Sequence, residues 1–267
     1  MMKAMRLGLV IESTGLPLRQ AIDEAARLGV SGIQVDAVEA LAPDALSATG
    51  RRDFGQLLRS LGLELSALHV PLRRGLDVAE GQQARMDHIG KVIRLAADLH
   101  CRRVVLPCPK IPQEEDSPRG RTLRETLSDL ARRADLYGVF LALELGWDAA
   151  DTVTSYLGRF DTGQLKVTFD PANYLVHGYE PLAELAKLSG WVVHVHARDA
   201  RPAGLARGQQ EVPLGAGEVD WLALTAALQV MNYDGVLAVE RLEGERRLED
   251  VRAGVAFLRR FLLPPDL

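Results

Sequence analysis

Phe140-Leu-Ala142-Leu-Glu144 is a short apolar run closed by one acid, and the pattern returns near the end of the chain as Val236-Leu-Ala238-Val-Glu240. Side chains alternate along a strand, so Leu141 and Leu143 share one face while Phe140, Ala142 and Glu144 share the other. Likewise Leu237 and Val239 stand opposite Val236, Ala238 and Glu240. A run that is apolar on both faces reads as a strand buried on both sides of a parallel sheet. The purely aliphatic face suits packing against helices, and the other face carries a carboxylate inward at the last position of each strand.

Runs of the same kind recur along the whole chain, at Leu7–Glu12, Gly32–Asp36, Leu63–Val70, Arg103–Cys108, Val139–Glu144, Leu165–Asp170, Val192–His196 and Gly235–Glu240. Between them lie amphipathic stretches of helical period, among them Leu18–Leu28, Met86–Leu99, Leu123–Leu136 and Trp221–Val230. Gly29, Gly62, Gly138 and Gly235 stand where helices should end, because glycine accepts the left-handed conformation that closes a helix. Eight such alternations predict an α/β fold, a single (β/α)8 TIM barrel over residues 1–267. The length of 267 residues suits a fold that needs ~250. An open doubly wound sheet is the alternative, but Glu12-Ser-Thr-Gly-Leu-Pro follows the first strand, where a dinucleotide-binding sheet carries its glycine fingerprint. Two connections look long, Pro109–Arg121 and Ala200–Val219. The second holds Arg201, Arg207, Gly215 and Gly217, and in a barrel both emerge at the C-terminal mouth.

The formal net charge of -4 offers no cationic field for a polyanion, so nucleic acid is not expected as a partner. Cys101 and Cys108 are the only cysteines, which excludes a disulfide framework and a four-thiolate zinc site. The start, MMKAMRLGLVIE, lacks an apolar run of signal-peptide length, and no stretch approaches ~18 uninterrupted apolar residues. The expectation is a cytoplasmic protein with no membrane partner.

The alternation also places Lys166, Thr168 and Asp170 on one face, and His194 and His196 on another. Leu65, Ala67 and His69 share a face, as do Gln34 and Asp36. The inferred mouth thus collects Asp36, His69, Glu144, Asp170, His196 and Glu240, and so many buried ionisable groups are costly unless paired or bound to a cation. A single strand-end acid is more often a helix cap or a surface charge; the repetition on successive strands is what argues for function. His194 reads as a hydrogen-bonded core residue, Lys166 as the partner of a buried carboxylate, and nothing near Cys108 marks it as a nucleophile.

In this order, Ala142-Leu-Glu144, Val167-Thr-Phe-Asp170-Pro-Ala-Asn173, Val193-His194-Val-His196-Ala-Arg-Asp199, Gly215-Ala-Gly217-Glu-Val-Asp220-Trp221 and Val239-Glu240 resemble the xylose isomerase-like barrels. The nearest subset is the sugar phosphate isomerase/epimerase group, with its ketose 3-epimerases, hydroxypyruvate isomerases and inosose dehydratases. The resemblance implies a divalent-metal site of Glu144, Asp170, His196 and Glu240. Three carboxylates and one imidazole suit Mn²⁺, Mg²⁺ or Co²⁺, with Zn²⁺ also compatible. One departure stands out: Asn173 occupies a position where many epimerases of the group carry a substrate-contacting His. Asn can hydrogen-bond a hydroxyl but has no acid–base role near neutral pH.

The implied activity is that of a metal-dependent isomerase or epimerase of a sugar-like hydroxy-carbonyl compound, working through an enediolate. Glu144 and Glu240 are then the catalytic proton carriers, and His69, Asn173, Arg198 and Arg201 contact substrate. Asp199 orients a ligand from behind. The alternatives are a lyase of the inosose dehydratase type and a non-catalytic metal- or ligand-binding barrel. A nuclease of the same fold needs a richer His/Asp cluster and a basic groove. A homo-oligomer is a family-level expectation.

Overall fold

A computed structural model describes residues 5–202 and 209–262. Ten strands alternate with helices among these residues: β1 (Arg6–Val10), α1 (Leu18–Arg27), β2 (Gly32–Asp36), α2 (Ala48–Ser60), β3 (Glu64–His69), α3 (Gln82–Asp98) and β4 (Arg103–Pro107). There follow α4 (Pro118–Tyr137), β5 (Phe140–Glu144), α5 (Ala150–Leu157), β6 (Leu165–Phe169), α6 (Pro171–Val176), α7 (Pro181–Lys187) and β7 (Val192–Ala197). The chain then runs through β8 (Asp199–Pro202), β9 (Gln209–Val212), α8 (Trp221–Val230), β10 (Val236–Val239) and α9 (Arg247–Arg259). Eight strands close into a parallel barrel in the order β1-β10-β7-β6-β5-β4-β3-β2, and β8 and β9 form a separate antiparallel pair.

The two faces of the strands separate as the alternation predicts. Leu141, Leu143, Val167, Phe169, Leu237 and Val239 belong to the large apolar layer between barrel and helices, whereas Ala67, Val105 and Ala142 form a small cluster of their own. Two irregularities break the alternation. The β2–β3 register shifts between Ile33 and Gln34, and Ser66 Oγ donates to Ile33 O at 2.8 Å. Leu65 therefore packs against the outer layer while Ala67 stays in the small inner cluster, contrary to the shared face expected for Leu65, Ala67 and His69. A second shift, between Val167 and Thr168, brings Thr168 level with His194.

Several boundaries differ from expectation for local reasons. The first strand stops at Val10, and Ile11–Thr14 turn as a 3-10 helix that carries Glu12 out of the strand direction. Gly29, Gly62 and Gly138 have the positive φ expected of helix ends, but Gly235 does not; Asn232 takes that conformation (φ 55) after α8. The connection after β4 is shorter than expected, because Ser117 caps α4 through the Gly120 N–H and Pro118 occupies its first turn. Within the Ala200–Val219 connection β8 and β9 pair antiparallel, and Arg207 lies outside the described residues. Among the described residues no helix is long and apolar enough to cross a membrane.

Candidate metal centre

Glu144 ends β5, Asp170 follows β6 as the N-cap of α6, His196 lies near the end of β7, and Glu240 follows β10. Parallel strands in a closed barrel put all four at one end, and one ligand atom from each lies within 4.8 Å of the others. His196 Nδ1 is 3.1 Å from Glu240 Oε2 and 3.4 Å from Glu144 Oε1. Neither approach has hydrogen-bond geometry: His196 Nδ1 and Glu240 Oε2 are buried without a hydrogen-bond partner. Buried lone pairs that converge without a proton donor between them are what a bound cation satisfies.

The surrounding hydrogen bonds leave those lone pairs free. Gln34 Oε1 accepts from the Nε2–H of both His194 and His196, each at 2.9 Å. With Nε2 carrying the proton, neutral His196 presents Nδ1 to the carboxylates. Asp170 has a partner on each oxygen: Oδ1 accepts from Asn173 N (3.1 Å) and Oδ2 from Arg198 Nη1 (2.7 Å). Asn173 Nδ2 donates to Glu144 Oε1 at 3.3 Å, and Asn173 Oδ1 accepts from Arg198 at 3.2 Å. Asn173 and Arg198, expected to contact substrate, are thus engaged with the ligand carboxylates themselves. The close approach is supported by Gly146 (φ 144), where a side chain would meet Asn173 Cβ at 2.5 Å.

Electrostatics point the same way. Three carboxylates face one guanidinium, so the cluster of Glu144, Asp170, Glu240 and Arg198 is rich in acid, and a divalent cation there would take the place of the proton that these acids draw to His196. Burial opposes a charged His196, but Glu240 and Glu144 outweigh it and raise its pKa well above the usual imidazole range. Burial likewise opposes ionised Glu144 and Glu240, yet His196 and Arg198 hold both below the ordinary carboxylate range. At Asp170 burial prevails over Arg198, and its pKa is raised. The donors fit a hard divalent ion, with one imidazole nitrogen and carboxylate oxygens.

On the opposite side of the mouth His69 Nδ1–H donates to Asp36 Oδ1 at 2.7 Å, and the Asp36 N–H donates to Glu12 Oε1 at 2.7 Å. Burial, with the Asp36 charge added, pushes Glu12 up to about 7. Burial disfavours the His69 cation, but the hydrogen bond and charge of Asp36 prevail and raise its pKa.

The remaining candidates fall elsewhere. Arg201 is exposed on β8. Asp199 accepts from the backbone of Gly215, Gly217 and Val219 and from Trp221 Nε1, so it organises the Gly215–Trp221 turn and touches no ligand residue. Lys166 reaches Gly190 O and the Trp191 ring, with no buried carboxylate as partner. His194 is a buried, hydrogen-bonded core residue, and burial pushes the Cys108 thiol up to about 12, far from a thiolate. Sequence reading missed Glu12, Gln34 and Glu211 as members of the mouth. Gln34 carried a usable signal in its polar side chain inside a strand that is otherwise apolar on both faces.

A family model described as xylose isomerase-like TIM barrel matches residues 22–261. An Escherichia coli K12 protein named as a proposed L-ribulose-5-phosphate 3-epimerase, SgbU, is 29% identical over 171 residues. The match takes in 61% of this chain and 59% of that protein, less than two thirds of its length. Among solved structures, a xylose isomerase domain protein of Planctomyces limnophilus superposes with a TM-score of 0.85 at 23% identity, over 97% of each chain. A D-tagatose 3-epimerase-like protein gives 0.79 at 19% identity, over 96% of this chain and 97% of that one. At these identities the structural likeness speaks for the fold.

Proposed function

The chain belongs to the xylose isomerase-like TIM barrel family, and we propose that it is a divalent-metal-dependent isomerase or epimerase of a sugar-like hydroxy-carbonyl compound. The observation that carries this reading is the convergence of Glu144, Asp170, His196 and Glu240, with His196 Nδ1 and Glu240 Oε2 left unpartnered. The relative named as a sugar-phosphate epimerase supports the substrate class. The donor set favours Mn²⁺, Mg²⁺ or Co²⁺ over Zn²⁺.

Glu144, Asp170, His196 and Glu240 would hold the divalent cation, which would supply the positive charge that acidifies a C–H beside a carbonyl. Glu144 and Glu240 then act as the proton carriers. They stand on β5 and after β10, on two sides of His196, and each has a second oxygen to turn toward substrate. One carboxylate takes the proton from carbon. Delivery by the other to the opposite face of that carbon gives epimerisation, and delivery to the neighbouring carbon gives isomerisation. Asn173 holds Glu144 Oε1 and so orients one proton carrier, a task that needs an amide and not an acid. His69, oriented by Asp36, is the substrate-binding group on the far side of the mouth, and Arg201 is a second candidate on the hairpin.

The test is exchange in deuterated water with protein loaded with Mn²⁺ or Co²⁺, over a panel of ketoses and short hydroxy-carbonyls. Solvent deuterium at the carbon beside the carbonyl is expected in recovered substrate and product. Loss of water from the substrate would move the protein to the lyases, and binding without exchange would make it a non-catalytic barrel.

A further inference from the structure

Glu211 stands in the middle of β9, outside the four-residue cluster, and its side chain is 5% exposed. It faces charged and polar donors from two sides. Oε1 accepts from Arg198 Nε at 3.3 Å and from Leu242 N at 3.1 Å. Oε2 accepts from Glu243 N at 2.8 Å and lies 3.1 Å from Arg241 Nη1. Leu242 and Glu243 are the second and third residues after Glu240. Arg198, the other partner, binds Asp170 Oδ2 and lies 3.7 Å from Glu240 Oε2. One carboxylate on the hairpin therefore holds both the guanidinium that bridges two ligand residues and the backbone that follows one of them. Arg241 is tied in turn to Asp250 of α9 through Nε and to Ser13 Oγ through its backbone N–H, so the assembly is anchored to the barrel wall.

We propose that Glu211 is a positioning residue of the metal centre, through which the β8–β9 hairpin sets how closely Asp170 and Glu240 converge on His196. The inference rests on the metal reading given above. Its physical content is twofold. A carboxylate at this place neutralises Arg198 on the side away from the ligands, so that less of its positive charge opposes an incoming cation. The same carboxylate fixes where the Arg198 fork points, and with it the oxygen of Asp170 that remains for the ion. Loss of Glu211 weakens the site through both effects, because they have the same sign.

The experiment uses the full chain, stripped with a chelator and titrated with Co²⁺ alone. The dissociation constant is read by calorimetry and the geometry by the visible absorption of the bound ion. Glu211→Gln is expected to weaken Co²⁺ binding by about 10–100-fold and to change the visible band. Glu245→Gln removes the same unit of charge from an exposed position and is expected to change neither. Glu211→Asp keeps the charge but withdraws the carboxylate; it is expected to alter the band with a smaller loss of affinity, and it carries the test if Glu211→Gln does not fold. Wild-type affinity and an unchanged band in the Glu211 variants would overturn the inference, whatever their melting temperatures. A wild-type protein that binds no Co²⁺ would overturn the metal reading first, and this inference with it.

Discussion

The two halves of the barrel mouth solve the problem of buried charge differently. On the β5–β7 and β10 side, carboxylates, an imidazole and a guanidinium are packed together, and both oxygens of Asp170 and one of Glu144 have N–H partners. On the β1–β3 side a single line runs from Glu12 through Asp36 to His69, with one carboxylate oxygen of Glu12 buried and unpartnered. In the first half the positive charge of His196 and Arg198 holds Glu144 and Glu240 below the ordinary carboxylate range. The second lets burial raise Glu12 toward neutrality. Glutamates around one barrel mouth thus take two protonation habits, set by whether a counter-charge stands within reach.

The largest expected effect falls on the charged half. Glu144→Gln should lower the rate of substrate proton exchange by about 10²–10⁴-fold while leaving the fold intact. Full activity in the purified variant would remove Glu144 from the chemistry. Next, Arg198→Ala strips the guanidinium from Asp170 and Glu211, both nearly inaccessible, and should cost about 3–5 kcal/mol in urea unfolding at pH 8 without metal. If the cost is near zero, the acids of this half do not depend on a counter-charge and the contrast collapses.

Glu12→Gln tests the other half through pH. The folded protein holds the Glu12 proton up to about pH 7, against an ordinary value of 4.5, so ionisation is penalised only in the folded state. Wild-type stability from this group is therefore intact below about 4.5 and is lost as pH rises through 7. Glutamine keeps the acceptor for the Asp36 N–H and cannot ionise, so the variant should gain on wild type across that window, by on the order of 3 kcal/mol at its upper end. Parallel stability curves at pH 4.5, 6 and 7.5 would refute it. The smallest effect is expected at Trp147, half exposed on the loop after β5 with its ring centroid 4.0 Å from that of His177. Trp147→Ala should shift stability by only about 0.5 kcal/mol in thermal unfolding, since Gly146 and buried Asp148, which accepts from Ile111 N, fix that loop. A larger loss would mean that the indole itself anchors the loop.

The barrel was legible because its signal is local. Two-residue alternation and helical period can be read within ten residues, and Gly32–Asp36 and Trp221–Val230 agree end to end with the observed elements. The alternation failed where a local shift breaks it, at Leu65, and where a turn replaces the end of a strand, at Glu12. For Asn173 and Arg198 the sequence was silent on a further engagement, for another reason. An amide and a guanidinium read as hydrogen-bonding groups in one dimension, and only their neighbours in space reveal that each also holds a carboxylate of the cluster.

The sequence by itself determined that strand-end polar groups from successive strands face a common mouth, and the order of the family motif singled out Glu144, Asp170, His196 and Glu240 among them. That follows from chain direction and side-chain alternation, which need no tertiary information. Tertiary structure alone decided which nitrogen of His196 is free, because Gln34, its partner, is 162 residues away in the chain. It also decided that Glu12 is driven toward neutrality while Glu144 stays ionised, and that Glu211 of a polar hairpin reaches Arg198. Protonation and orientation depend on what closes around a group in space, and barrel closure brings together residues that no local pattern connects.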